Sequence, residues 1–341
     1  MENSIKILDC TLRDGAYLVN KCYEESFING IISGLMDAGI DIIEVGFLQD
    51  DGNDAENVVF HNGKDAMRVI PKNKNNREFT VLADYCRYSI DNLEENNGKT
   101  FDAVRACFFR HERREVIPFC KRILEKGYAL YVQPVDILGY AEQELLELIE
   151  QVNQLSAECF SIVDTFGSMY VDDLERVFKL VHSYLKPNIA IGFHSHNNIQ
   201  LSNALSQKVI ELAEQKRNVI IDATLSGMGR GAGNTPLELI VQFLLCKGKS
   251  KRYNVEAILE TIDSYIGELA GSVSWGYSTP YFITGSCSAH VNNAAYLKGK
   301  YNLSSLEIMK IIQHLDENDR KRYFYEILDA LHSLYVADDF I

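Results

Sequence analysis

Short apolar segments alternate with amphipathic segments through the first two thirds of the chain, and this alternation limits the fold more than any other feature. Eight segments read as strands, several of them almost continuously apolar, as strands covered on both faces are. These predicted strands span 5–10, 40–47, 79–85, 101–108, 128–134, 159–164, 189–194 and 219–224. Helical periodicity marks 24–38, 112–126, 141–155, 172–185 and 200–215 between them. This order is that of repeated βα units.

Eight consecutive βα units predict an α/β fold, the TIM (β/α)8 barrel. The structural alternative is a doubly wound open sheet, which usually carries a glycine-rich phosphate-binding turn after its first strand. Here that turn reads Arg13-Asp14-Gly15-Ala16 and contains no G-x-G-x-x-G pattern. The missing motif favours the barrel.

The pattern changes near residue 247. A polar, basic segment at 247–252 reads as an exposed linker. Beyond it, helical patterns cover 255–269, 304–314 and 320–335, and an aromatic stretch with small residues lies at 275–282. We therefore predict a TIM-barrel catalytic domain over 1–247 and a helical C-terminal region over 248–341.

Composition narrows the function classes. The chain has 341 residues and a formal net charge of −14, which disfavours partners such as nucleic acid or an anionic membrane. Its eight cysteines form no C-x-x-C pair, and no apolar stretch reaches the length of a membrane span. The first apolar run contains Lys6 and Asp9 and does not read as a signal peptide. We expect a cytoplasmic protein.

Two histidines close the seventh predicted strand. His194 and His196 are spaced i, i+2, so on a strand both imidazoles point to the same face. Asp14 follows the first strand, and in a barrel the carboxyl ends of all strands meet at one mouth. Two imidazoles and a carboxylate suit a divalent cation that keeps open positions for substrate. An isolated histidine is more often structural, but this spacing at a strand end favours a metal site.

Other polar side chains fall at further strand ends. Arg13 follows the first strand, Glu44 lies near the end of the second, Asp164 ends the sixth and Asn234 follows the eighth. A fixed guanidinium beside a metal can stabilise an enolate oxygen. The alternative for Arg13 is a structural ion pair with Glu44 or Asp9. Asp164 would either bind substrate, orient a ligand or cap the next helix.

Five motifs occur in order along the chain, one at each of five predicted strand ends. They are Asp9-x-Thr11-Leu12-Arg13-Asp14-Gly15, Glu44-Val45-Gly46, Asp164-Thr165-x-Gly167, His194-x-His196-Asn197 and Gly231-x-Gly233-Asn234-x-x-x-Glu238. Together they resemble the DRE-TIM metallolyase superfamily, also called HMG-CoA lyase-like or pyruvate carboxyltransferase-like. The resemblance covers residues 4–247.

The resemblance implies a divalent metal held by Asp14, His194 and His196, with Asn234 added in some members. It implies that Arg13 stabilises an enolate while a carbon–carbon bond is made or broken next to a 2-oxo acid or thioester. Mn²⁺ and Mg²⁺ are the expected cations, with Zn²⁺ and Co²⁺ as alternatives. It also implies a homo-oligomer, for which the C-terminal region is a candidate interface.

Within the superfamily, the turn at 11–15 and the loop at 231–238 look most like those of 4-hydroxy-2-oxovalerate aldolase. Such aldolases place a histidine, their general base, three residues after the aspartate, where this chain has Tyr17. Tyr17 or a metal-bound hydroxide would then move the proton, although a tyrosine with its ordinary pKa of about 10 is a poor base. The loop also lacks the cysteine of the hydroxymethylglutaryl-CoA lyases.

The leading hypothesis is a divalent-metal-dependent aldolase or carbon–carbon lyase, an aldehyde-lyase acting on a small 2-oxo acid. Arg13, Tyr17, Glu44 and Asp164 are its candidate catalytic residues. One alternative is an acyl-CoA-dependent Claisen-type synthase similar to isopropylmalate or homocitrate synthase. Another is a non-catalytic barrel that has lost its general base, which Tyr17 favours.

Overall fold

A closed parallel barrel forms the centre of the molecule. The computed structural model describes residues 4–51, 57–213 and 217–337. Its strands are β1 Ile5–Asp9, β2 Ile42–Leu48, β3 Val59–Phe60, β4 Glu78–Asp84, β5 Ala103–Phe108, β6 Ala129–Pro134, β7 Cys159–Asp164, β8 Ala190–Ser195 and β9 Val219–Ala223. β1 pairs with both β2 and β9, which closes the sheet, and the two-residue β3 adds to β2 outside the barrel order. The predicted TIM barrel is confirmed.

Each of the eight predicted strands coincides with a barrel strand, and their ends differ by a few residues at most. The agreement follows from burial, because β2, β7, β8 and β9 are buried along their whole length. A strand with a core on one side and helices on the other is apolar at nearly every position, which makes it visible in the sequence. The short β3 lacks such a run and was not predicted.

Helices surround the barrel. They are α1 Thr11–Asp14, α2 Glu25–Asp37, α3 Gly63–Ala66, α4 Val116–Glu125, α5 Glu142–Asn153, α6 Val171–Tyr184, α7 Ser202–Leu212 and α8 Leu237–Cys246. Five of these match the predicted helices to within four residues at the described ends, and residues 214 and 215 of the last prediction lie outside the described residues. Within the described ranges, no helix has the length and apolar character needed to cross a membrane.

Helices also make up the C-terminal region. They are α9 Val255–Thr261, α10 Gly267–Leu269, α11 Thr279–Ser286, α12 Val291–Tyr301, α13 Ser305–His314, α14 Glu317–Arg320 and α15 Tyr325–Val336. Ala257, Ile258 and Ile266 join the core of the barrel, whereas a separate apolar cluster forms among α11, α12, α13 and α15. α11 and α12 were not predicted as helices, and the domain division after residue 247 stays a prediction.

The C-terminal region lies against the mouth of the barrel, where the carboxyl ends of the strands meet. The Trp275 indole donates to the carbonyl of Ser226, after β9, at 3.0 Å. Lys321 pairs with Asp136, after β6, at 2.9 Å. Gly285 packs so closely on the loop after β8 that a Cβ there would lie 2.9 Å from the Cβ of Asn198. The C-terminal helices therefore help to shape the mouth.

Candidate metal centre and active site

Strand alternation places charged side chains inside the barrel. An apolar cluster fills the lower interior and includes Ile42 of β2, Ala103 of β5 and Ile220 of β9. Side chains two residues further along a strand point to the same side. Those residues are Glu44, Arg105 and Asp222, which are all at most 3% exposed. A layer of charged side chains therefore lies directly above the apolar cluster, two residues further along each strand and nearer the mouth of the barrel.

These side chains form a closed set of ion pairs with residues at the mouth. Arg13 pairs with Asp14 at 2.5 Å and with Glu44 at 2.7 Å. Arg105 pairs with Glu44 at 2.9 Å and with Asp222. His194 completes the set between Asp222 and Asp14. We call this set the buried charge ring; its members are Arg13, Asp14, Glu44, Arg105, His194 and Asp222.

The buried charge ring carries an excess of negative charge. Three carboxylates and two guanidiniums sum to −1 when His194 is neutral, and no member is more than 5% exposed. Burying a net charge is unfavourable unless a counter-charge is close. A protonated His194 or a bound cation supplies that counter-charge.

The ring of His194 is held in one orientation. Its Nδ1 lies 3.0 Å from Oδ2 of Asp222, and its Nε2 lies 3.5 Å from Oδ2 of Asp14. Burial opposes protonation of His194, but the hydrogen bonds that its ring donates to Asp14 and Asp222 outweigh this effect and raise the pKa above its ordinary value. A carboxylate on one ring nitrogen fixes the tautomer so that the other nitrogen can bind a metal.

His196 and Asp14 complete the candidate metal site. Nε2 of His196 lies 3.9 Å from Oδ2 of Asp14, and the two imidazole rings stand perpendicular with centroids 5.2 Å apart. One ligand atom from each of Asp14, His194 and His196 lies within 4.8 Å of the others. The structure thus brings together the three residues predicted from the sequence to bind metal.

Two buried oxygens beside these residues lack a hydrogen-bond partner among the described residues. They are Oδ1 of Asp14 and Oδ1 of Asn234. The amide of Asn234 is fixed, because its nitrogen donates to the carbonyl of Met228 at 3.1 Å and its backbone bridges to His196. Buried polar atoms are nearly always satisfied, so these orphans fit a site built for a cation.

The protonation states of the site also suit a cation. Burial disfavours a charged Asp14, yet Arg13, His196 and His194 together hold its pKa well below the usual range. Burial lowers the pKa of His196 to about 3, so its imidazole is neutral at neutral pH. Metal ligands must be deprotonated, and both groups already are.

A second set of potential ligands shares His194 with the first. It consists of Cys10, His194 and Asp222. Burial raises the pKa of the Cys10 thiol well above its usual value, and the thiol lies 3.5 Å from the carbonyl of Ala223. Asp222 pairs with Arg105 as Asp14 pairs with Arg13, but of these two carboxylates it is Asp14 that has a buried oxygen without a hydrogen-bond partner among the described residues. The set with Asp14 and His196 is therefore the better cation site.

Glu44 and Asp164, predicted as catalytic, both have partners in the protein. Glu44 lies between Arg13 and Arg105, which matches the structural alternative proposed for Arg13. Asp164 accepts from the hydroxyl of Ser195 at 3.1 Å and from the backbone of Ser168 at 2.9 Å. Burial raises the pKa of Asp164 to about 6. Both carboxylates thus hold neighbouring groups in place, and a direct part in the chemistry stays a prediction.

Tyr17 lies on the turn that carries Asp14. Its ring packs edge-on against Phe47, with centroids 5.3 Å apart, and the guanidinium of Arg230 lies 3.9 Å from its centroid. Burial raises the pKa of Tyr17 above the ordinary value, although Arg230 and Arg13 oppose the rise. The hydroxyl therefore stays protonated at neutral pH.

Sequence reasoning missed Arg105, Asp222 and Arg230. Arg105 and Asp222 are single charged residues inside otherwise apolar strands, and that interruption was the available signal. A buried charge is kept only when it has a partner. Arg230 lies in the glycine-rich loop after β9, where its surroundings depend on the fold.

The raised pKa of His194 predicts how metal affinity depends on pH. Below that pKa the cation must displace a proton from the imidazole, so we expect affinity for Mn²⁺ to rise by up to about tenfold per pH unit as the pH rises. His196 should release no proton above a pH of about 3. Calorimetry in buffers of different ionisation enthalpy would count the proton. An affinity that does not change between pH 5.5 and 8 would contradict the prediction.

Polar and titratable groups at the carboxyl ends of barrel strands are where (β/α)8 enzymes have their active sites. Fold and site together define a TIM-barrel enzyme. The family model of HMGL-like proteins matches residues 4–264, and the chain belongs to this family. The resemblance inferred from the five motifs is thereby confirmed.

The individual relatives have low sequence identity to this chain, but the matches cover most of both proteins. Oxaloacetate decarboxylase from Mycobacterium tuberculosis is 26% identical over 259 residues, which cover 76% of this chain and 75% of that protein. 4-Hydroxy-2-oxovalerate aldolase 2 from Dechloromonas aromatica is 25% identical over 269 residues, covering 77% and 76%. The crystal structure of the N-terminal domain of a candidate aldolase from Bacteroides vulgatus superposes with a TM-score of 0.74 at 23% identity, covering 87% of this chain and 98% of that one.

Proposed function

We propose that this protein is a divalent-metal-dependent aldolase that cleaves 4-hydroxy-2-oxo acids. One observation carries the proposal: unpartnered oxygens of Asp14 and Asn234 lie beside the paired imidazoles, with Arg13 next to them. Relatives named as an aldolase and a decarboxylase of 2-oxo acids support the same class of reaction.

Asp14, His194 and His196 would hold the cation, with Asn234 as a further oxygen ligand. A divalent cation bound there would polarise the 2-oxo group of the substrate as a Lewis acid. Mixed imidazole and oxygen ligands suit Mn²⁺, and the hard oxygen atoms of a 2-oxo acid also suit Mg²⁺. The excess negative charge of the buried charge ring favours a cation at this place.

Arg13 would act on the charge that develops during cleavage. Its Nε bonds Glu44 and its Nη1 bonds Asp14, so the guanidinium is oriented before the substrate arrives. Nη2 takes part in neither ion pair. A positioned donor of this kind stabilises an enolate oxygen more strongly than water does.

Aldol cleavage breaks the bond between C3 and C4 of the substrate. The 4-hydroxyl loses its proton and becomes an aldehyde, the bonding electrons form the enolate of pyruvate, and C3 of the enolate then takes up a proton. Tyr17, held protonated by burial, is suited to donating that proton rather than accepting one. Solvent water would take up the proton of the 4-hydroxyl and return one to Tyr17, so the overall cleavage neither gains nor loses a proton.

We expect the protein with Mn²⁺ to release pyruvate from 4-hydroxy-2-oxovalerate and to lose this activity with EDTA. Mn²⁺ added back should restore it. Cleavage by metal-free protein would contradict the proposal. Free thiol released from acetyl-CoA in the presence of a 2-oxo acid would instead indicate the Claisen-type synthase.

Tyr17→Phe is expected to lower kcat about 100-fold with little change in KM, a loss typical of general acid–base groups. The phenyl ring keeps the packing against Phe47 and the face that Arg230 covers, so the variant removes only the hydroxyl. Steady-state pyruvate release measures the effect. An unchanged kcat would exclude Tyr17 from proton transfer.

A further inference from the structure

Arg230 lies at the mouth of the barrel with one face covered. Its guanidinium carbon is 3.9 Å from the centroid of the Tyr17 ring. An arginine stacked on an aromatic ring keeps its five N–H donors in the plane of the guanidinium. Stacking therefore orients Arg230 and leaves its edge available to a ligand.

Arg230 differs from the two arginines below it. Arg13 and Arg105 each pair with two carboxylates. No carboxylate oxygen of the described residues lies within 4.0 Å of a guanidinium nitrogen of Arg230, and its one hydrogen bond in those residues is accepted by its backbone carbonyl. In a chain with a net charge of −14, a partly buried arginine without an acidic partner is a candidate anion site.

The position of Arg230 follows from its neighbour. A Cβ on Gly229 would lie 3.0 Å from Oδ1 of Asp14 and 2.1 Å from Nδ2 of Asn234. Arg230 is the next residue, and Tyr17 beneath it is on the turn of Asp14. A small molecule held at Asp14 would therefore extend towards Arg230.

The loop that carries Arg230 is fixed. Its carbonyl accepts from the backbone of Gly233 at 3.0 Å, and the backbone of Ala232 donates to Asn198 at 2.9 Å. Gly231 has φ 65°, and a side chain there would meet Asn198 and Val291. The guanidinium is thus presented by a rigid loop that is enclosed by the C-terminal region.

The titratable groups around Arg230 do not neutralise it. His196 and His290 are the imidazoles whose protonation it influences. Burial, helped by Arg230 and His196, lowers the pKa of His290 to about 3. Neither group is a carboxylate, so the described residues place no negative counter-charge against the guanidinium of Arg230.

We propose that Arg230 binds a second carboxylate of the substrate, so that the enzyme selects 2-oxo acids with an acidic group at the end remote from the 2-oxo group. This inference rests on the proposed function and names its substrate class. A planar guanidinium edge matches a carboxylate with two parallel hydrogen bonds. A phosphate dianion calls for more positive charge than this single guanidinium provides.

Binding of two inert ligands to the Mn²⁺ protein tests the proposal. 2-Oxoglutarate and 2-oxovalerate have equal chain length, end in a carboxylate and a methyl group respectively, and lack the 4-hydroxyl that cleavage requires. Trp275 is the single tryptophan of the chain and contacts the same loop, so its fluorescence reports occupancy. We expect 2-oxoglutarate to bind about 10- to 100-fold more tightly, the range for hydrogen bonds to charged groups.

Arg230→Gln is expected to abolish this preference, and Arg230→Lys to keep part of it. The matched control is Arg322→Gln, which removes an exposed arginine that also lies over an aromatic ring, that of Phe324, and should leave the preference unchanged. The proposal is overturned if the unaltered protein shows no preference for 2-oxoglutarate, or if Arg230→Gln retains it. The first of these results is measured on the unaltered protein, so it does not depend on whether a variant folds.

A kinetic comparison separates this inference from the proposed function. The unaltered protein should have a higher kcat/KM for 4-hydroxy-2-oxoglutarate than for 4-hydroxy-2-oxovalerate. In Arg230→Gln the ratio of these two values should fall by the factor by which the binding preference for 2-oxoglutarate falls. If neither substrate released pyruvate but 2-oxoglutarate still bound more tightly than 2-oxovalerate, aldol cleavage would be refuted and the anion site at Arg230 would be supported. Cleavage of both substrates with an unchanged ratio would refute the role of Arg230.

Discussion

His196→Ala is expected to abolish tight Mn²⁺ binding and to lower kcat/KM by about three orders of magnitude or more, because a catalytic metal supplies several kcal/mol of charge stabilisation. His196 is the most informative ligand to remove. Its one ion-pair contact within the buried charge ring is the 3.9 Å approach to Asp14, whereas His194 also bonds Asp222. The fold should therefore survive. Calorimetric titration with Mn²⁺ and pyruvate release measure the two effects.

His61→Ala is the matched control, since His61 is exposed and lies outside the candidate site. It should bind Mn²⁺ and cleave substrate as the unaltered protein does. If His196→Ala kept stoichiometric, tightly bound Mn²⁺ and full activity, the metal site described above would be wrong.

Arg105→Leu is expected to lower the free energy of unfolding by about 3–5 kcal/mol, the usual cost of removing one partner from a buried ion pair. Arg105 is 1% exposed and forms ion pairs with Glu44 and Asp222 across the barrel interior. Without it, two carboxylates face each other in a region that water does not reach. Urea unfolding followed by circular dichroism gives the difference in free energy.

Arg122→Leu provides the comparison for Arg105→Leu. Arg122 pairs with Asp91 at 2.8 Å, but the two side chains are 45% and 74% exposed. An exposed pair contributes about 0–1 kcal/mol. A loss of stability in Arg105→Leu no larger than that in Arg122→Leu would show that the buried pairs do not stabilise the fold.

The barrel could be predicted from the sequence because its strands are buried on both faces. Strands such as Cys159–Asp164 consist of nearly continuous apolar residues, and the helices between them have one apolar face. α11 and α12 gave no such signal. α11 has a proline as its second residue and contains small residues, among them Gly285, that fit closely against the loops of the barrel. Its helical state depends on that tertiary contact.

The candidate site was predictable where it depends on local spacing. His194 and His196 share a face because they are two residues apart on a strand, and Asp14 reaches them because strand ends converge. The partners of these residues were not predictable. Arg105 and Asp222 are separated by 117 positions in the chain and meet only through the closure of the barrel. The sequence alone does not show which residues of distant strands the closure of the barrel brings into contact.

The buried charge ring limits which substitutions this chain can accept during evolution. Each of its six members contacts two others. Replacing one member therefore leaves two buried neighbours without one of their charge partners. Substitutions at contacting residues are not additive. Lineages that descend from a common ancestor should therefore keep all six residues or exchange them in compensating sets, and isolated replacements should be rare.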